Sequence, residues 1–170
     1  GLIFRMLFDE NMGLVNEFLS LFNVAKIPWL SSLEYSKIPV ILLIVWRNTP
    51  WYTMIILSEL LSIPNDYYEA AKIDGAGVFQ RFFYITLPQI KDTLLLSTLM
   101  SCIWTINEFE TVWLMTGGGP NGSTQVMNVY SYKTAMASMQ LGKSIAVSVL
   151  AMPVFLILIH FISKKTLNNE

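Results

Sequence analysis

Residues 69–88 read EAAKIDGAGVFQRFFYITLP, a mostly polar stretch set between two long apolar ones. Pro64 breaks what comes before it, Asn65 is a good N-cap, and Asp66 and Glu69 suit the positive end of a helix. Tyr67, Ala70, Ala71 and Asp74 then share one helical face. Gly75 can take the left-handed conformation that ends such a helix, and Gly77 loosens the turn that follows. A second amphipathic piece, residues 78–84, leads to Ile85, Thr86, Leu87 and Pro88. Pro88 has no N–H to lose, so it fits the first turn of the next helix. The stretch is a helical hairpin between two apolar segments.

Composition says what those segments are. The chain has 170 residues, 54% of them hydrophobic and 14% charged, with a net charge of −1 and a mean hydropathy of +0.51. That balance fits a membrane protein better than a soluble domain, and apolar segments of helical-span length make it an all-α membrane protein. It leaves no basic footprint for nucleic acid. One Cys and one His cannot build an ordinary structural zinc site, and Cys102 sits in an apolar stretch where a small buried side chain is expected.

Three complete spans are expected, at about 38–61, 93–115 and 144–162, each long enough at 1.5 Å per residue to cross roughly 30 Å of hydrocarbon. Gly1 to Phe8 is apolar apart from Arg5 and reads as the end of an upstream span. The hairpin region, residues 64–90, then lies on one side of the membrane, and residues 9–37 and 116–143 on the other. In the first of these outer segments Leu14, Val15, Phe18, Leu19, Leu21 and Phe22 form an apolar stripe opposite Asn16, Glu17 and Ser20. That helix would lie at the interface or pack on other helices. Pro28 to Ser32 is a turn that puts Trp29 near headgroup level. In the second, residues 126–139 read as a short amphipathic helix, Gly142 precedes the last span, and Lys164 and Lys165 close it. Charge does not orient the chain. Lys72, Arg81, Lys91, Lys164 and Lys165 on one side balance Arg5, Lys26, Lys37, Lys133 and Lys143 on the other.

The first span is interrupted by Trp46-Arg47-Asn48-Thr49-Pro50-Trp51, and Pro50 should kink it. An arginine at membrane depth is a functional candidate, or a structural partner for a nearby carboxylate. In the second span Ser101, Trp104, Thr105 and Glu108 share one helical face. Arg47 and Glu108 fall at similar depths, which predicts that they meet. Thr116-Gly117-Gly118-Gly119-Pro120-Asn121-Gly122 is a turn and not a phosphate loop, because no Gly-Lys-Ser/Thr follows it.

Glu69-Ala70-Ala71, three residues, Gly75, nine residues, then Ile85, Thr86 and Leu87-Pro88 resembles the EAA loop of ABC-importer permeases at every fixed position. Asp74, Gly75 and Ala76 give the form seen in the sugar-type branch, close to maltose and glycerol-phosphate permeases. The resemblance covers nearly the whole chain and implies an ABC importer type I transmembrane domain, truncated at its N-terminus. It places the hairpin in the cytoplasm of a multi-pass protein of the cell membrane.

It also implies a docking set for an ABC ATPase dimer: Glu69, Ala70, Ala71, Asp74, Gly75, Ala76, Ile85, Leu87 and Pro88. Trp46, Arg47, Asn48 and Trp51, facing Ser101, Trp104, Thr105 and Glu108, fall where such permeases line the sugar pathway. Indole faces stack on sugar rings, and amides, hydroxyls and carboxylates bind their hydroxyl groups; the same Trp residues could equally serve helix packing. Arg47 departs from an apolar position and could instead bind an acidic sugar or a phosphate. A second homologous permease and an extracytoplasmic solute-binding protein complete the implied assembly, and ATP, with no Walker motif in this chain, would be bound by the ATPase. A permease for peptides or other small solutes is the alternative. A membrane-embedded enzyme, the other class, would need a nucleophile with a base, and neither His-Glu-x-x-His nor Gly-x-Ser-x-Gly is present.

Overall fold

The computed structural model describes residues 1–167, with the side chains of residues 154, 158 and 161–167 left aside. Lys164 and Lys165, expected to close the last span, therefore lie outside the described side chains. The helices run α1 Leu2–Leu7, α2 Leu14–Ser20, α3 Lys37–Ser62, α4 Asn65–Ile73, α5 Val78–Arg81, a π-helix Phe82–Thr86, α6 Leu87–Ile106, α7 Glu110–Thr116, α8 Met127–Met136 and α9 Leu141–Leu167. No strand occurs among the described residues.

The chain forms two compact units, one of Gly1–Arg47 with Ile103–Glu170 and one of Asn48–Cys102. In the first, α7 is the centre. Val112 and Met115 on α7, Val40 and Leu43 on α3 and Val129 on α8 make a buried cluster, with Phe4, Leu30, Ile44 and Val126 packed around it. Phe109 and Trp113 stack at 5.8 Å, and Tyr132 of α8 meets Trp113 edge-on at 4.9 Å. The turn after α7 is compact because Gly118 has φ +82°, and a Cβ there would stand 2.9 Å from Val129 Cγ1. Only glycine satisfies both conditions.

In the outer segment of this unit the α2 stripe stays uncovered, while one residue of its polar side does not. Leu14, Phe18, Leu21 and Phe22 are exposed, and Asn16, read as facing away from the packing side, is buried. Its amide donates to the carbonyls of Glu10 at 3.1 Å and Ile27 at 2.9 Å. Its oxygen accepts from the Ile27 N–H at 3.2 Å and from Trp29 Nε1 at 2.9 Å. Four hydrogen bonds compensate the burial of one amide, while the apolar stripe is left for lipid or other helices.

Helix α3 runs as one helix of 26 residues with Pro50 inside it. Two other expectations change. The segment expected at 93–115 is two helices, α6 and α7, with a break at residues 107–109. Side-chain hydrogen bonds flank the break. Asn107 donates to the carbonyl of Ile103 at 2.9 Å, and the Glu108 carboxylate takes the Thr111 N–H at 3.1 Å, starting a new helix. Gly142 lies inside the first turn of α9 instead of before it.

Among the described residues, α3 is the helix long and apolar enough to cross a membrane, and the described apolar part of α9, Leu141–Ile157, is shorter. Only 11% of the most apolar stretch of α3 is buried within the chain. The core helix of a soluble domain would be covered, so this surface requires lipid or neighbouring helices.

Candidate functional site

The hairpin lies within the second unit. Helix α4 starts one residue earlier than expected. Pro64 stands at the N-cap with extended backbone, Asn65 is already helical, and no side chain caps the end. The other end closes on the Ala-Ala pair. Asp74 N–H donates to Ala70 O at 3.0 Å and Ala76 N–H to Ala71 O at 2.9 Å, a geometry reached because Gly75 adopts φ +78°. A Cβ at Gly75 would meet nothing within 4 Å, so the glycine is needed for its backbone conformation and leaves open space above it. Gly77 N–H donates to Gln80 Oε1 at 2.8 Å and starts α5.

Of the docking residues expected from sequence, Ala71, Asp74, Gly75, Ala76 and Ile85 line one groove of about 400 Å³. Glu69, Ala70 and Pro88 are exposed outside it, and Leu87 is half-buried at the start of α6. Gln80, Arg81 and Tyr84 complete the groove wall. Their contribution was hidden in sequence by the π-helix, which no Pro or Gly announces. The Tyr68 and Thr86 hydroxyls, 2.9 Å apart, tie α4 to that π-helix.

In the first unit the structure brings Arg47 and Glu108 together, as their depths predicted. One guanidinium nitrogen donates to Glu108 Oε2 at 2.5 Å and the other terminal nitrogen to Thr111 Oγ1 at 2.9 Å. Glu108 Oε1 accepts the Thr111 N–H at 3.1 Å. The carboxylate side chain is 10% exposed and that of Arg47 43%. Glu108 thus lies in the break after α6, beyond the helical face of Ser101, Trp104 and Thr105 that was expected to carry it. Thr111 was missed, and its partnership has no signal in local spacing.

Trp46 is exposed and packs against Phe4 at 5.3 Å, and Trp104 and Thr105 are exposed on α6 in this same unit. Asn48 and Trp51 on α3, with Ser101 on α6, belong to the second unit; Trp51 meets Tyr52 edge-on at 5.0 Å. No cluster of His, Cys, Asp and Glu able to hold a metal ion occurs among the described residues.

Residues 1–166 match the family described as binding-protein-dependent transport system inner membrane component. The chain is 34% identical over 149 residues to the sulfoquinovosyl glycerol transport system permease protein SmoG of Agrobacterium fabrum, covering 88% of this chain and 48% of that protein. It is 34% identical over 128 residues to the trehalose/maltose transport system permease protein MalF of Thermococcus litoralis, covering 75% and 43%. Against the galactooligosaccharides transport system permease protein GanP of Bacillus subtilis, identity is 34%, with coverage of 88% and 37%. The chain thus spans about half the length, or less, of these curated relatives. Its fold matches the crystal structure of a bacterial ABC transporter that imports the acidic polysaccharide alginate, with TM-score 0.82 at 23% identity over 95% of this chain and 57% of that one. The chain belongs to the binding-protein-dependent transport system inner membrane component family.

Proposed function

We propose that this chain is a membrane-spanning portion of a permease subunit of an ATP-driven importer that moves a carbohydrate into the cell. The observation that carries the proposal is the hairpin. Its full motif spacing folds into an exposed helix, α4, closed at Gly75 beside an open groove. A separate ATPase dimer docks on this surface and passes its motion to α3 and α6. The exposed Glu69 pairs with a basic group on the ATPase, and the bare backbone at Gly75 lets the ATPase approach closely. Carbohydrate as the solute is supported by the sugar permeases among the relatives and by the Trp, Asn, Ser and Thr side chains at the expected pathway positions. A second permease shapes the other half of the pathway, and an extracytoplasmic binding protein delivers the solute.

The test is to purify the natural full-length chain from mild detergent beside its Gly75→Asp variant and identify what accompanies each by mass spectrometry. An ATPase should come with the first and be depleted at least about tenfold with the second. An ATPase absent from both, under conditions that keep other membrane complexes intact, would end the proposal.

A further inference from the structure

We infer that the Arg47–Glu108–Thr111 cluster makes this permease selective for an uncharged carbohydrate and against uronates, sulfonates and phosphorylated sugars. The inference rests on the importer reading above and names the charge class of its solute.

The argument begins with occupancy. Sequence alone offers Glu108 as a ligand for sugar hydroxyls and Arg47 as a ligand for an acidic group. In the folded chain each Glu108 oxygen already has a donor, Oε1 from the Thr111 N–H and Oε2 from Arg47. The carboxylate is 10% exposed, so its role is that of a counter-ion. Thr111 is buried at 2% exposure and its hydroxyl oxygen accepts from the guanidinium at 2.9 Å, fixing the plane of the arginine. The local charge is zero.

Arg47 keeps a surface. Its side chain is 43% exposed, and a guanidinium has donors beyond those turned to Glu108 and Thr111. A neutral hydroxyl can accept from them with the ion pair intact. An anionic group cannot do so equally well. It must sit on an arginine that holds a carboxylate at 2.5 Å, where like charges repel strongly in a low-dielectric setting. Otherwise it must expel Glu108, leaving a nearly covered carboxylate without its cation and the Thr111 N–H without its acceptor. Removing one partner from such a pair is costly. Selectivity here comes from the repulsive element. The chain would then differ from the structural neighbour whose solute is acidic alginate and from the relative named for sulfoquinovosyl glycerol, a sulfonate.

The test uses the complete transporter reconstituted in proteoliposomes with a panel of neutral glucose- and galactose-based disaccharides and the same disaccharides oxidised to the terminal uronate. The natural transporter should take up the neutral member of a pair at least about tenfold faster. Glu108→Gln, which unmasks the Arg47 charge, should lower that ratio at least about fivefold, by raising uronate uptake relative to neutral uptake. Arg47→Gln combined with Glu108→Gln should restore the preference for the neutral sugar. A merely structural pair would change rates for both members together and leave the ratio alone. Equal uptake of both by the natural transporter, or an unchanged ratio in Glu108→Gln, overturns the inference and leaves the importer standing. Should Glu108→Gln not assemble, the natural ratio alone decides. A transporter that moves and responds to no carbohydrate of either charge overturns both.

Discussion

Single side chains hold the outer segment of the first unit in place, and Asn16 is the clearest case. Removing its amide by Asn16→Ala strands two carbonyls, one N–H and the Trp29 indole at a site 3% exposed, where water cannot replace it. The expected loss is about 3 kcal/mol. It should appear as a lower thermal unfolding midpoint of the detergent-solubilised protein, and an unchanged midpoint would contradict the role. Asp9 makes a more local contribution. Its Oδ1 accepts the N–H groups of Asn11 at 2.9 Å and Met12 at 3.0 Å. The bond from Met12, then that from Asn11, holds the carboxyl below its usual range, with a smaller pull from Arg5. A carboxyl so lowered contributes its stabilisation near neutrality and loses it as pH falls below about 3.9 and through its own lowered pKa. The amide NMR shifts of Asn11 and Met12 should therefore move together in that acid range. In Asp9→Asn that shared transition should be gone.

At the scale of the element, two irregularities give the helices their roles. The break between α6 and α7 frees the Glu108 carboxylate from a regular helical face and lets it serve α7 and Arg47 at once. The π-helix after α5 adds a residue to the turn, and such turns recur at functional positions. There the Thr86 hydroxyl reaches Tyr68, so α4 leans on the π-helix that leads into α6 through a polar contact. Tyr68→Phe removes only that hydroxyl. Backbone amides of residues 82–86 should then exchange about fivefold faster, matching a loss of about 1 kcal/mol, with overall helicity unchanged. Exchange that stays at the native rate would show that α4 is held by packing alone.

For the molecule as a whole, the exposed apolar surface of α3 predicts membrane retention. After alkaline carbonate washing, at least about nine-tenths of the chain should stay with the bilayer pellet, because roughly 20 apolar residues in lipid do not detach at high pH. Release into the supernatant would contradict a spanning α3. Fold class and the hairpin were legible without coordinates for a physical reason. A 54% hydrophobic composition and the turn chemistry of Gly75 act over a few residues, where sequence order and spatial order coincide. The α3 boundaries were legible too, since the apolar run and the helix end together. Three things were decided by tertiary structure. Asn16 is buried while the apolar stripe of α2 faces outward, the second long segment breaks at residues 107–109, and Thr111 joins Arg47 and Glu108. In each, a polar group's partner lies on a remote backbone or side chain, or a side chain bonds the backbone beside the break. Arg47 stands 64 positions from Thr111. Periodicity tells which way a side chain could turn, but the cost of burying an unpaired polar group decides which way it does.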